Sequence, residues 1–298
     1  MEYVHQSGRI TTPASRASVI KTIRTLAKAV PAKRVNEVTE QDLVTWIFQA
    51  AAPNSQRRRK TVCSSMFRWA HWKGYVAVNP ATHLEFSAPV RGGGVREHTW
   101  LSEEEIAKVV ATCDDSFTGR RNRCILLFGF LTGLRLIELT RLTWDSVSRD
   151  GSSVLVMRKN RKLTPVGLPT RLQHELSTWR IAVSQSPSPA SGGPLFPRTH
   201  SQWDSWDGDR GVTVLWDQPL GDQGIANVVR NAGKAAGFEG LCPHDMRRSY
   251  AALLETKGFS IVDISRMLAH ANTAVTQRYL DNSPGRTAAL ASGLEVDL

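Results

Sequence analysis

The sequence predicts a mainly α-helical protein with a small β-sheet, arranged as an amino-terminal helical bundle followed by a larger mixed α/β domain. Three observations predict it. Apolar residues recur at helical spacing behind recognisable caps along most of the chain, whereas only residues 154–168 alternate as a pair of strands does. That periodicity fails between Phe86 and His98, where Pro89 and Gly92-Gly93-Gly94 read as a linker. Charge divides at the same place: residues 1–96 carry 15 Lys+Arg against 5 Asp+Glu, and residues 97–298 carry 23 against 22.

A chain of 298 residues suits two domains, each large enough to bury its own core. The expected boundaries are a basic helical domain over 1–88, a linker over 89–99, a second domain over 100–283 and a tail over 284–298. Extended, the aperiodic stretch reaches up to ~40 Å, enough to let two domains grip opposite faces of a duplex. The net charge of +11 points to a polyanion as partner. Because the excess sits almost wholly in the first third, a DNA-holding module in front of a nearly neutral catalytic one is the reading it supports.

In the first domain, Thr12-Pro13 supplies a cap and a first-turn proline, with Val19, Ile23, Leu26 and Val30 on one face and Pro31 as the stop. Thr39 and Asp42 form a capping box for a second helix through Leu43 and Ile47. A third opens at Asn54 or Ser55, faces inward through Val62, Met66, Phe67 and Ala70, and closes at Gly74. Its other sides carry Arg57, Arg58, Arg59, Lys60 and Arg68, the candidate DNA-binding residues. Four adjacent cations repel one another unless an anion neutralises them. Trp46, Trp69 and Trp72 read as core rather than as stacking platforms.

In the second domain, Ser102 and Glu105 form another capping box. Helices are expected over 103–112, 121–131, 135–142, 170–180, 222–236, 243–257, 261–270 and 274–281. Val154–Met157 and Leu163–Leu168 read as a hairpin with a basic turn over 158–162. Residues 184–193 read as a surface loop and 201–220 as poorly patterned. Cys63, Cys113, Cys124 and Cys242 lack Cys-x-x-Cys spacing, which suits reduced thiols in a cytoplasmic protein and argues against a zinc module. No signal-peptide pattern and no apolar run near ~20 residues is found, so no membrane association is expected.

Arg135, Lys159, His244, Arg247, His270 and Tyr279 are the candidate catalytic set. Guanidiniums suit the charge that builds on a phosphodiester under attack, because each can give two parallel hydrogen bonds to its oxygens. A phenol is a nucleophile that must be activated. With a pKa near 10, about one in a thousand is ionised at pH 7, a cost of ~4 kcal/mol that His244, Arg247 and His270 are placed to meet.

The wording around these residues is specific. Leu131-Thr132-Gly133-Leu134-Arg135-Leu136-Ile137-Glu138-Leu139 resembles the first arginine box of the tyrosine recombinase (phage integrase) family. Pro243-His244-Asp245-Met246-Arg247 resembles its His-x-x-Arg box, and Met267-Leu268-Ala269-His270 with Tyr279 resembles its last histidine and nucleophile. The resemblance runs from about Thr12 to Asp281. It implies an amino-terminal core-binding domain, a catalytic domain, and a site-specific recombinase that cuts and rejoins DNA through a 3′-phosphotyrosyl intermediate, such as a phage or mobile-element integrase. It further implies no metal and no cofactor. The partners it implies are double-stranded DNA core sites, a homotetramer on paired sites with the tail in a protomer–protomer contact, and room for accessory DNA-bending or directionality factors.

Counting within the family pattern places Lys159 on the catalytic lysine, the expected proton donor to the departing 5′ oxygen, with Arg158, Arg161 and Lys162 as competing cations. Glu138 is expected to orient an arginine or support the fold. The chain departs from the pattern at Ala269, usually Gly, and at Arg248, usually His. A type IB topoisomerase uses the same chemistry, and a non-catalytic DNA-binding regulator could keep the fold. The short basic domain in front favours a recombinase over the first, and the complete set of reacting groups argues against the second.

Overall fold

A computed structural model of the chain describes residues 2–8, 10, 12–88, 90, 99–158, 162–185, 192–201, 212–270 and 272–280. Contacts divide it into two units, Met1–Glu97 and His98–Leu298. No helix among the described residues is long and apolar enough to cross a membrane.

The first unit is helical throughout its described elements. A short α1 (Glu2–Gln6) precedes α2 (Pro13–Ala29), whose first turn is capped by Thr12 accepting from the Ser15 N–H. Such a cap contributes about 1 kcal/mol. The Thr39/Asp42 box opens α3 (Glu40–Phe48), and both reciprocal bonds are made. The long α4 (Pro53–Trp72) starts earlier than Asn54: Ala52 is its cap and Pro53 its first residue, the position where a missing N–H costs nothing. A single turn, α5 (Leu84–Ser87), ends just before the linker expected over 89–99. Leu26, Leu43, Trp46, Ile47, Phe67 and Leu84 form one core cluster, and Tyr3, Val4 and Ile10 a smaller one against Trp69. Trp46 and Trp69 are thus packed as expected. Trp72 is not: at the end of α4 it is 75% exposed, with the Lys73 ammonium 5.0 Å above its ring.

The second unit opens with α6 (Glu103–Ala111) behind the Ser102/Glu105 box, followed by α7 (Phe117–Thr132), which begins a turn earlier than expected because Ser116 caps it. The short α8 (Leu136–Thr140) follows Gly133. Strands β1 (Ser153–Met157) and β2 (Leu163–Gly167) pair antiparallel, with Val156 opposite Thr164. Then come α9 (Thr170–Ser184), β3 (Pro197–Ser201) and β4 (Val212–Pro219). The β3–β4 hairpin occupies much of the region read as unpatterned, and the buried Arg121 ties it down by donating to Pro197 O at 2.8 Å and Thr199 Oγ1 at 3.0 Å. The chain continues through α10 (Gly221–Ala235), α11 (Pro243–Thr256), α12 (Ile261–Met267) and α13 (Thr273–Leu280).

The core of this unit joins α6, α7, α9, α10 and β1 through residues such as Ile125, Phe128, Phe130, Trp179, Val156 and Ile225. At ~1.5–3 kcal/mol for each large apolar side chain buried, it supplies the rigid floor of the candidate site. A second cluster of Ala251, Leu254, Ile264, Leu268 and Leu280 seats α13 on α11 and α12. All four cysteines are free thiols, with Cys63 and Cys124 buried. Among the described residues no cluster of metal-ligating side chains is found.

Candidate active site

The site is assembled where three helix ends converge. Gly133 ends α7 with φ +60°, and a Cβ there would lie 2.4 Å from the Tyr250 ring and 2.9 Å from Leu268. Only glycine meets both the backbone twist and the close approach. This turn delivers Arg135 as the cap of α8, with its guanidinium and its own N–H both bonded to Glu138, at 3.0 and 2.8 Å. Arg135 Nη2 also reaches the Ala269 carbonyl at 3.4 Å.

Arg247, on α11, is 1% exposed. Its two terminal nitrogens donate to the carbonyls of Gly133 and Leu268, which orients the fork, and its buried Nε has no hydrogen-bond partner among the described residues. Burial, reinforced by the neighbouring Arg135 charge, lowers its pKa to about 10, which leaves it cationic at neutral pH. Helix α12 stops at Met267 rather than running on to His270. Ala269 then takes a left-handed conformation (φ +49°), turning the Leu268 and Ala269 carbonyls to the two arginines and setting His270 beyond the helix.

His270 Nδ1 lies 2.7 Å from Thr276 Oγ1, and its Nε2 is buried without a partner among the described residues. Burial first, then the charges of Arg247 and Arg135, push its pKa down to about 4, so the imidazole is neutral at pH 7. Tyr279, on α13, puts its hydroxyl 2.9 Å from Nε2 of His244, the second residue of α11. Both imidazoles meet the Tyr279 ring edge-on, at centroid distances of 5.2 Å for His244 and 4.9 Å for His270. Such T-shaped pairs are worth about 0.5–1.5 kcal/mol beyond the area they bury. The Arg248 guanidinium stands 5.6 Å from the same ring.

Arg135, His244, Arg247, His270 and Tyr279, spread over 145 positions of sequence, are thus brought together. Lys159 and Arg161 lie outside the described residues. Of the other cations of that turn, Lys162 is exposed, and its carbonyl accepts the Arg158 N–H at 2.8 Å. The Arg158 side chain is buried and ion-paired to Glu138 at 2.8 Å. This network, the Trp100 indole on the Tyr279 carbonyl at 3.3 Å, and Thr276 behind His270 were not read from sequence. Only the Glu138 spacing carried a signal for any of them.

The candidate DNA-binding residues sit on α4 with unequal freedom. Arg59 donates to the Trp46 carbonyl and stacks 5.1 Å over its ring, and Lys60 donates to Ala88 O at 3.1 Å. Arg58 bonds Ser18 and Thr22, tying α4 to α2. Arg57, Arg58 and Arg68 are exposed.

Comparison with known proteins agrees with this geometry. The profile of the phage integrase family matches residues 99–286. The tyrosine recombinase XerC of Xylella fastidiosa is 30% identical over 228 residues, 76% of this chain and 69% of that protein. Among solved structures, the XerH site-specific recombinase in its post-cleavage complex with a palindromic difH substrate superposes with a TM-score of 0.73 at 17% identity, covering 98% of this chain and 83% of that one. A lambda integrase tetramer bound to a Holliday junction gives 0.68 at 14% identity, covering 93% and 74%. The chain therefore belongs to the phage integrase family and is a site-specific DNA recombinase of the tyrosine type.

Proposed function

We propose that the chain cleaves duplex DNA by attack of the Tyr279 phenol on a scissile phosphodiester, leaving a 3′-phosphotyrosyl link and a free 5′ hydroxyl, and rejoins it by the reverse attack from a partner strand. One observation carries this reading: the Tyr279 hydroxyl is 2.9 Å from His244 Nε2, in a site shared with two guanidiniums and a neutral imidazole. That distance is within proton-transfer reach. His244 receives the phenolic proton, and the positive field of Arg247 and Arg135 stabilises the phenolate.

Arg135 and Arg247 then hold the non-bridging oxygens as charge builds on them, fixed in advance so that no reorganisation is needed at the moment of reaction. His270 Nε2, without a partner among the described residues, donates to one of those oxygens when the Thr276 hydroxyl donates its hydrogen bond to Nδ1 and the ring proton sits on Nε2. Lys159 is the proton donor to the departing 5′ oxygen, with Lys162 as its rival. The bond energy stays in the phosphotyrosine, so the cycle needs no nucleotide cofactor.

The +10 balance of residues 1–96 supports duplex DNA as the partner of the first unit, through Arg57, Arg58 and Arg68 above all. The likeness to a lambda integrase tetramer on a Holliday junction supports a tetramer on two paired sites, acting on DNA in the cytoplasm. The test starts from a duplex the protein itself selects from a random-sequence pool. Tyr279→Phe should bind that duplex as the wild type does and form no covalent adduct on denaturing gels. A normal adduct yield from this variant overturns the assignment.

A further inference from the structure

The first described residues of the catalytic unit lie against the helix of the nucleophile. Trp100 Nε1 donates to the Tyr279 backbone carbonyl at 3.3 Å, across 179 positions of sequence. Its neighbour Leu101, 3% exposed, donates its N–H to Ser249 Oγ at 3.0 Å, and the Ser249 hydroxyl in turn donates to the Asp245 carbonyl at 2.9 Å. Ser249 and Asp245 belong to α11, the helix of His244 and Arg247. Two consecutive residues therefore clasp the two helices whose side chains meet at the Tyr279–His244 bond.

The physical need for such a clasp follows from α13 itself. Its eight described residues are fewer than the ~12–15 at which a helix begins to hold by itself in water. The Tyr279 carbonyl lies in the last described turn of α13. The indole N–H of Trp100 satisfies that carbonyl from outside. Apolar packing of Leu280 on Ala251, Leu254 and Ile264 seats the helix, the Thr276–His270 bond holds its middle, and the directional bond at residue 279 fixes the turn that carries the phenol.

We propose that Trp100 is a positioning residue for strand cleavage: its indole N–H pins the end of α13 and so holds the Tyr279 phenol at His244. This rests on Tyr279 being the nucleophile.

The test compares two cleavage reactions of the full-length protein on the selected duplex. In the first, Tyr279 is the nucleophile. In the second, a Tyr279→Phe protein is supplied with hydrogen peroxide, whose anion attacks the same phosphorus. The P–O5′ bond breaks and the 5′ oxygen takes a proton, so the reaction does not depend on where residue 279 lies. Trp100→Phe, which keeps the ring and drops the donor, should slow tyrosine cleavage about tenfold, the scale of one lost hydrogen bond. Added to Tyr279→Phe, it should leave peroxide cleavage within about twofold. An equal loss in both reactions, or none in the first, overturns the proposal. If Trp100→Phe unfolds, β-(3-benzothienyl)alanine at position 100, which swaps the N–H for sulfur in a ring of the same shape, decides by the same comparison. Adduct formation by Tyr279→Phe alone would instead overturn the nucleophile.

Discussion

Glu138 and Arg158 form an ion pair of 2.8 Å with side chains only 3% and 7% exposed, and the other oxygen of Glu138 holds Arg135 at 3.0 Å. One buried carboxylate thus joins the first arginine of the site to the end of β1. Removing one member of a buried pair costs about 3–5 kcal/mol, because the other is left charged and unpaired. Glu138→Gln strands Arg158 and loosens Arg135 together, so urea unfolding should show a loss of about 3 kcal/mol. Arg158→Met should cost less, since Arg135 still neutralises Glu138. Near-equal midpoints for Glu138→Gln and the wild type would show that the pair does not support the site.

His270 gives the free protein a specific acid sensitivity. Its pKa falls from the usual 6.5 to about 4, through burial and then the Arg247 and Arg135 charges. Between those values the unfolded chain binds the proton and the folded chain does not, so stability rises with pH there. The contribution is full above pH 6.5 and is lost as pH falls toward 4. Unfolding free energies across pH 4–7 should slope downward toward acid, and His270→Gln should flatten that slope. An unchanged slope would mean that His270 is not held neutral.

Ala269 is the one described non-glycine residue with positive φ. A left-handed conformation costs an alanine roughly 1–2 kcal/mol, partly offset in a glycine by its larger unfolded-state entropy. Ala269→Gly should therefore raise stability by about 0.5–1 kcal/mol while keeping the Leu268 and Ala269 carbonyls on the two arginines. A lower melting temperature would contradict the strain.

The proton donor can be identified by its leaving group. A 5′-bridging sulfur departs as a thiolate without a proton, so Lys159→Ala should cleave ordinary DNA slowly, by about 10²- to 10⁴-fold, yet regain most of its rate on a 5′-phosphorothiolate. Arg135→Ala should not be rescued, because it serves the non-bridging oxygens. Rescue of Lys162→Ala in place of Lys159→Ala would move the role along the turn.

What could be read from sequence was what is decided locally. The Thr39/Asp42 and Ser102/Glu105 boxes, the β1–β2 alternation and the first-turn prolines act within a few residues and formed as expected. The three motif boxes named five residues that the fold brings together. Long-range choices were not legible. The β3–β4 hairpin depends on Arg121, 76 positions upstream of Pro197, and Trp100 on a carbonyl 179 positions away. Trp72 was read as core with the other two tryptophans, but at about 100° per residue it falls on the side of α4 away from Val62, Met66 and Ala70, in solvent. In the basic turn, spacing could not separate Arg158 from its neighbours, and only burial beside Glu138 marks it as structural.

The central claim is that Tyr279 becomes joined to the 3′ phosphate. The most direct measurement is to trap the wild-type adduct on a nicked duplex, digest protein and DNA, and sequence the peptide that retains a nucleotide. The chain has four tyrosines, Tyr3, Tyr75, Tyr250 and Tyr279. The account requires the phosphonucleotide on Tyr279, in the peptide that follows His270. A nucleotide on Tyr250, on another tyrosine or on a serine would contradict it.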